Sequence, residues 1–247
     1  MQPLIFMLFI IITLMPVPTW AVSVHNYIPE KAYPLLPVVK EEVERLDLSL
    51  IDYYMAAAIE KESCLSLTHK RCWSPESQLS MYWDKAKTRR SEVGVGLFMA
   101  TKTWKKDGSV RFDTLTRLAK TYPNELKGLN WTTVKQRPDL QIRGLLLLMN
   151  ETYSKLPTVS DVEARHAMTV SAYNSGHGRL TRDRMTCKLK KGCNPNLWFG
   201  NVEMVKAPGY ATSKGLYSRT PWQINREHVK EVINIRSPKY KRWYDAH

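Results

Sequence analysis

The chain has 247 residues, with 37 Lys or Arg against 23 Asp or Glu, a formal net charge of +14. A composition 43% hydrophobic and 24% charged excludes a wholly disordered chain, a collagen-like fibre and a multi-span membrane protein. Four cysteines are too few for a disulfide-stapled mini-protein.

Residues 1–23 carry no charge, and Leu4 to Met15 is apolar except for Thr13. Pro16 and Pro18 interrupt the run, and Thr19-Trp20-Ala21 or Ala21-Val22-Ser23 supplies small residues for cleavage. This pattern predicts a secretory signal peptide, with an uncleaved membrane anchor as the alternative. Export predicts local disulfides, Cys64 with Cys72 and Cys187 with Cys193, the simplest pairing of the four. A zinc site is the rival, but the sequence lacks a CxxC or paired-His spacing.

The remaining elements read mostly as helices. Residues 38–47 form a short amphipathic helix, and Ser49 reads as the N-cap of a second helix ending near Glu62. A further helix is expected somewhere within 74–90, and a short one over 111–121. Residues 140–156 are apolar on most faces, which predicts a buried central helix. Ser160 with Glu163 fits a capping box for a helix that stops at Gly176. Thr220-Pro221-Trp222-Gln223 has the same signature, and Ser237-Pro238 reads as the end of that last helix. Strand-like alternation is poor throughout, and 187–218 reads as loop-rich.

Three segments carry chemistry. In Ile59-Glu60-Lys61-Glu62-Ser63, helical periodicity puts Ile51, Met55, Ala58 and Glu62 on one stripe. A carboxyl ending an apolar stripe loses hydration, and its pKa rises toward that of a general acid. Glu60, about 200° away, is expected in solvent. The alternative for Glu62 is a cap or salt bridge. In Gly94-Val95-Gly96-Leu97-Phe98-Met99, paired glycines permit close backbone approach or positive φ. A phosphate loop would need a following Lys-Ser/Thr, which is absent. In Ala172-Tyr173-Asn174-Ser175-Gly176, a phenol ends a buried face before the chain turns. The plainer reading there is a core aromatic and a glycine cap.

Taken in order, these segments resemble the lytic transglycosylases of the soluble-lytic-transglycosylase type, relatives of goose-type lysozymes. The resemblance covers roughly 50–180. It implies a mainly α, α+β lysozyme-like fold in a single catalytic domain over 24–204, with 205–247 as a basic, aromatic C-terminal extension. It assigns the catalytic role to Glu62. Substrate contacts would fall on Ser63, Gly94, Gly96, Leu97, Phe98, Met99, Tyr173 and Asn174. Met99 departs from the Gln usual at that position, and a thioether cannot donate a hydrogen bond to a sugar. The implied substrate is the glycan strand of peptidoglycan, in the periplasm or cell envelope, with no metal or cofactor. Such enzymes serve wall turnover, secretion or conjugation machines, and phages.

Two rival readings accompany it. A hydrolytic muramidase would use a second carboxylate, with Glu76, Asp84 or Glu92 as candidates. A non-catalytic wall-binding or assembly protein could keep the same fold. Basic clusters over 85–90, 179–191 and 239–242 suit a polyanion; for an exported chain that points to wall polymers or membrane surfaces rather than nucleic acid. Trp222, Trp243 and Tyr244 in the extension read either as packing residues or as a docking surface.

Overall fold

The computed structural model describes residues 27–211 and 219–247; the expected signal segment lies outside them. The fold is mixed α+β with helices predominating. After a short 3-10 turn, α1 (Leu36–Arg45) and α2 (Asp52–Ser63) pack side by side. A four-stranded antiparallel meander follows, β1 (Gln78–Tyr82), β2 (Arg90–Val95), β3 (Ala100–Trp104) and β4 (Val110–Asp113), in spatial order 1-2-3-4. Then come α3 (Thr114–Thr121), α4 (Pro138–Tyr153), α5 (Val162–Ser175) and α6 (His177–Leu189). A 3-10 turn at Val202–Met204 leads to α7 (Pro221–Lys230), a π-helical segment Glu231–Arg236 and α8 (Ser237–Ala246).

The sheet replaces the helix expected within 74–90 and shortens the one expected over 111–121. The strands are short, and β1 and β4 are half-exposed, so neither face alternates cleanly between apolar and polar. Helix α3 starts only at Thr114, because the Asp113 carboxylate accepts a hydrogen bond from the Thr116 amide.

Helix α2 is the centre of the body. Met55, Ala56, Ala57, Ala58 and Ile59 are wholly buried, so it is enclosed on nearly all sides rather than along one stripe. The small alanines let α1, α8 and the π segment approach closely. Burying a side chain the size of Ile59 contributes about 1.5–3 kcal/mol. The start of α2 is fixed by tertiary contact and not by Ser49. The residue before it is Ile51, whose amide donates to His166 Nε2 on α5 at 3.1 Å. Likewise Asp161, not Ser160, caps α5, accepting from the Ala164 amide at 2.7 Å.

The capping box at Thr220 and Gln223 is present and opens α7. Pro238 does not stop the chain's helical course. It sits at the junction of the π-helical segment and α8, where the Ser237 hydroxyl donates to the Ile233 carbonyl in place of the N–H that proline lacks. Residues of this C-terminal region, Val229, Val232, Ile233 and Tyr240, belong to the same hydrophobic core as α2, α4 and α5.

Disulfides join Cys64 to Cys72 and Cys187 to Cys193. The first closes the loop immediately after α2 and carries the buried Trp73, whose indole N–H donates to the Tyr240 hydroxyl at 3.0 Å. Among the described residues no helix is long and apolar enough to cross a membrane.

Candidate active site

A cleft of about 530 Å³ opens between the end of α2, one face of the sheet, α4 and the end of α5. Glu62, Glu92, Gly94, Phe98, Met99, Tyr173 and Asn174 all line it. Residues more than a hundred positions apart thus meet because α2 and α5 both terminate there.

Glu62 stands on the last turn of α2 with its side chain 18% exposed. Loss of hydration pushes its carboxyl up to about 7, against a smaller opposing pull from the Lys61 charge. On its inner side lies His228 of α7, with Nε2 3.6 Å from Glu62 Oε1. Burial, and then the charges of Lys61 and Arg236, push this imidazole down to about 3, so it is neutral near pH 7. His228 Nε2 has no hydrogen-bond partner among the described residues. The neighbour offered to Glu62 is therefore a dipole and not a cation, which leaves desolvation dominant.

Tyr173 is tied to the glycine loop: its hydroxyl donates to the Phe98 carbonyl oxygen. Burial, reinforced by the Glu62 charge, raises its phenol well above the usual range. It remains a neutral O–H beside the carboxyl. Asn174 is exposed to the cleft but held from behind, its Oδ1 accepting from Asn225 Nδ2 at 3.1 Å. The buried Asn225 also donates to the Ser171 carbonyl at 2.9 Å and accepts from Ser171 Oγ at 3.0 Å. The Asn174 carbonyl thus faces inward, and its NH₂ is left for a ligand acceptor.

The glycine loop divides into two parts. A Cβ on Gly94 would stand 2.7 Å from Met99 Cε, so the missing side chain makes room for the thioether that lines the cleft. Met99 itself adopts a positive φ of 48°. Gly96 and Leu97 instead face the body. Gly96 has φ +83°, and a Cβ there would meet Gln141 Oε1 at 2.3 Å. That same oxygen accepts from the Leu97 amide at 2.7 Å, and Gln141 Nε2 donates to the Pro75 carbonyl at 3.1 Å. These two residues seat the loop on α4 and lie outside the cleft lining. Ser63 is also turned inward. Its hydroxyl donates to the Ile59 carbonyl at 2.7 Å and accepts from the Trp73 amide at 3.1 Å, so it fastens the end of α2 to the disulfide loop.

Of the candidate second carboxylates, only Glu92 lines the cleft. Asp84 is engaged in its own turn, where the Thr88 and Arg89 amides hold its carboxyl below the usual range. Among the described residues no group of His, Cys, Asp and Glu is arranged to hold a metal ion.

The largest departure from expectation is Glu60, expected in solvent and found wholly buried. Arg236 Nη1 reaches its Oε1 at 2.6 Å, Lys239 Nζ lies 2.7 Å from Oε2, and the Tyr240 hydroxyl donates to Oε2 at 2.5 Å. Helical periodicity misplaced it because the face opposite the cleft is covered by residues from the far end of the chain. Helical periodicity also gives no role to Asn225 and His228. Their signal is present: they sit three apart on the inner face of a well-capped helix, beside the buried Val229.

No protein-family model matches the chain, and no curated protein matches it.

Proposed function

We propose that this protein is a peptidoglycan lytic transglycosylase, exported to the periplasm or cell envelope, with a lysozyme-like arrangement of its helical body and small sheet. The observation that carries the reading is convergence. The Glu62, Gly94–Met99 and Tyr173–Asn174 segments, each modest alone, surround one cleft whose carboxyl is held near neutrality. The two disulfides support an oxidising compartment.

In this reading protonated Glu62 donates its proton to the glycosidic oxygen as the bond from the anomeric carbon breaks. The positive charge developing there is met by the N-acetyl oxygen of the same muramoyl sugar. Glu62, now a carboxylate, takes the proton of the 6-hydroxyl, whose oxygen closes on the anomeric carbon and releases the N-acetyl group. The products are a strand ending in 1,6-anhydro-muramic acid and a new 4-hydroxyl. No water is consumed, and Glu62 ends protonated. A pKa of about 7 lets one group serve both as acid and as base at neutral pH. Asn174 would orient a sugar acetamide or hydroxyl, while Tyr173 and Phe98 fix the wall beside it.

Glu92 favours a second reading, a hydrolytic muramidase, because it lines the cleft without the ion pair that Arg117 makes with Glu151, the other carboxylate there. Digestion of purified peptidoglycan by the chain lacking residues 1–23, read by mass spectrometry, separates the two. Anhydro-muramoyl ends are expected; ends heavier by one water would establish hydrolysis instead.

A further inference from the structure

The sheet has a second face, and the cleft uses only the first. Antiparallel register puts Leu79, Met81, Glu92, Gly94, Thr101 and Phe112 on the cleft side. Val93, Val95, Lys102 and Trp104 point the other way, as successive side chains alternate, and the register shift between Met81 and Tyr82 brings Arg90, opposite Tyr82, to the same side. Two shallow depressions of about 330 and 320 Å³ lie on that back face and share Arg90 and Trp104. Trp131 walls the first and Trp83 the second.

Cations accompany these rings. Lys102 Nζ lies 5.8 Å from the centroids of both Trp104 and Trp131, and Lys106 Nζ lies 5.9 Å from that of Trp83. Trp83 is 43% exposed, an unusual placement for a residue of its size. Lys102 is partly neutralised by Asp113 at 3.2 Å. Among the described residues no side-chain hydrogen bond or ion pair engages Arg90, which stands where the two depressions meet. The face is thus a run of flat aromatic surfaces edged by positive charge and backed by the apolar Val93 and Val95.

We propose that this back face is a second binding surface for an acidic glycan strand, separate from the cleft that cleaves it. The ring faces would stack on the C–H faces of successive sugars, and Arg90, Lys102 and Lys106 would meet the carboxylates the strand carries. Charge complementarity selects the occupant: six cations line the two depressions against Asp107 in the second and Asp113 beside Lys102, and the disulfides fit a compartment where anionic wall polymers are the abundant partner. The identity of the polymer rests on the transglycosylase reading; the aromatic and cationic geometry does not. A sheet that binds one strand behind while cleaving another in front would keep the enzyme on an insoluble substrate between cuts.

The test uses the full chain carrying Glu62→Gln, so that bound wall is not degraded, in co-sedimentation with purified insoluble peptidoglycan. Adding Trp83→Ala, Arg90→Glu and Lys106→Glu, all exposed, should weaken binding about tenfold or more, the size of one or two lost stacking and ionic contacts. In chains retaining Glu62, the same three changes should leave turnover of a short soluble glycan fragment unaltered, and the melting temperature should be unchanged. Unaltered binding to the wall would overturn the proposal. So would an equal loss from Lys188→Glu with Lys191→Glu, exposed lysines at the end of α6 and beyond it, since that would show net charge alone at work. Tighter binding of single-stranded oligonucleotide than of glycan, lost on the same changes, would make the surface a nucleic-acid site instead. Failure of the parent chain to turn over any glycan would count against the Glu62 reading while leaving the sedimentation difference to decide the surface.

Discussion

Glu60 and Glu62 leave the last turns of α2 on opposite sides and meet opposite surroundings. Glu60 enters a closed chamber where Arg236, Lys239 and Tyr240 satisfy both of its oxygens, and water is excluded. Glu62 enters a cleft beside a neutral imidazole 3.6 Å away, and its carboxyl is pushed up to about 7. Both carboxyls are desolvated; what differs is whether the protein supplies compensating charge. Compensation makes the first a structural anchor between α2 and the C-terminal helix. Its omission gives the second a proton to exchange near neutral pH.

The comparison can be broken most forcefully at Glu60. Glu60→Gln leaves the buried Lys239 without its carboxylate and the half-buried Arg236 with Glu231 alone, which should cost about 3–5 kcal/mol of stability, read from the midpoint of urea denaturation. An unchanged midpoint would mean the chamber does not hold the C-terminal helices.

The pH dependence sharpens the contrast. The folded pKa of Glu62 lies above its ordinary value of 4.5, so the folded state holds the proton more tightly than the unfolded one. The stability this gives is fully present below 4.5 and is lost as pH rises through about 7. The difference between Glu62→Gln and the parent should therefore shift in the variant's favour by up to about 3 kcal/mol between pH 4 and pH 9. Parent activity should fall roughly tenfold per unit above the same pKa, because the acid form is needed. A rate flat from pH 6 to 9 would remove Glu62 from the acid role.

A smaller effect is expected at Asn225. Asn225→Ala releases Asn174 and leaves Ser171 and Arg226 a partner short, at a cost of about 1–3 kcal/mol. It should raise KM for glycan fragments more than it lowers kcat; an unchanged KM would mean Asn174 needs no support from α7. The mildest change is Met99→Gln. A restored amide at the cleft wall should improve kcat/KM by roughly twofold to tenfold, the worth of one hydrogen bond. No change would mean that this position does not touch substrate.

Legibility from sequence followed how local each cause is. The buried α4, the Thr220 capping box and the close-spaced cysteine pairs depend on neighbouring residues, and the amino-acid pattern carried them. Periodicity brings Glu62 and Tyr173 to the ends of buried helical faces, but their expected roles, and that of Asn174, rest on the resemblance of the three segments taken in order. The sheet was missed because its strands are short and its back face mixes valine, tryptophan and cations where alternation would need a dry surface. Glu60 was misplaced, and His228 and Asn225 unread, for a shared reason. Their partners lie more than fifty residues away, and nothing in one helix's periodicity tells which distant segment will cover its outer face. Ser63, Gly96 and Leu97 show the converse: residues adjacent in sequence to cleft residues can be spent on holding those residues in place.

The most direct measurement is the yield of 1,6-anhydro-muramoyl ends from purified peptidoglycan digested by the parent chain and by Glu62→Gln, with melting temperatures taken on the same samples. The expected result is anhydro ends from the parent, a loss of roughly 100-fold or more in the variant, and a melting temperature no lower than the parent's. A folded Glu62→Gln that releases anhydro ends at the parental rate would contradict the assignment of the acid to Glu62.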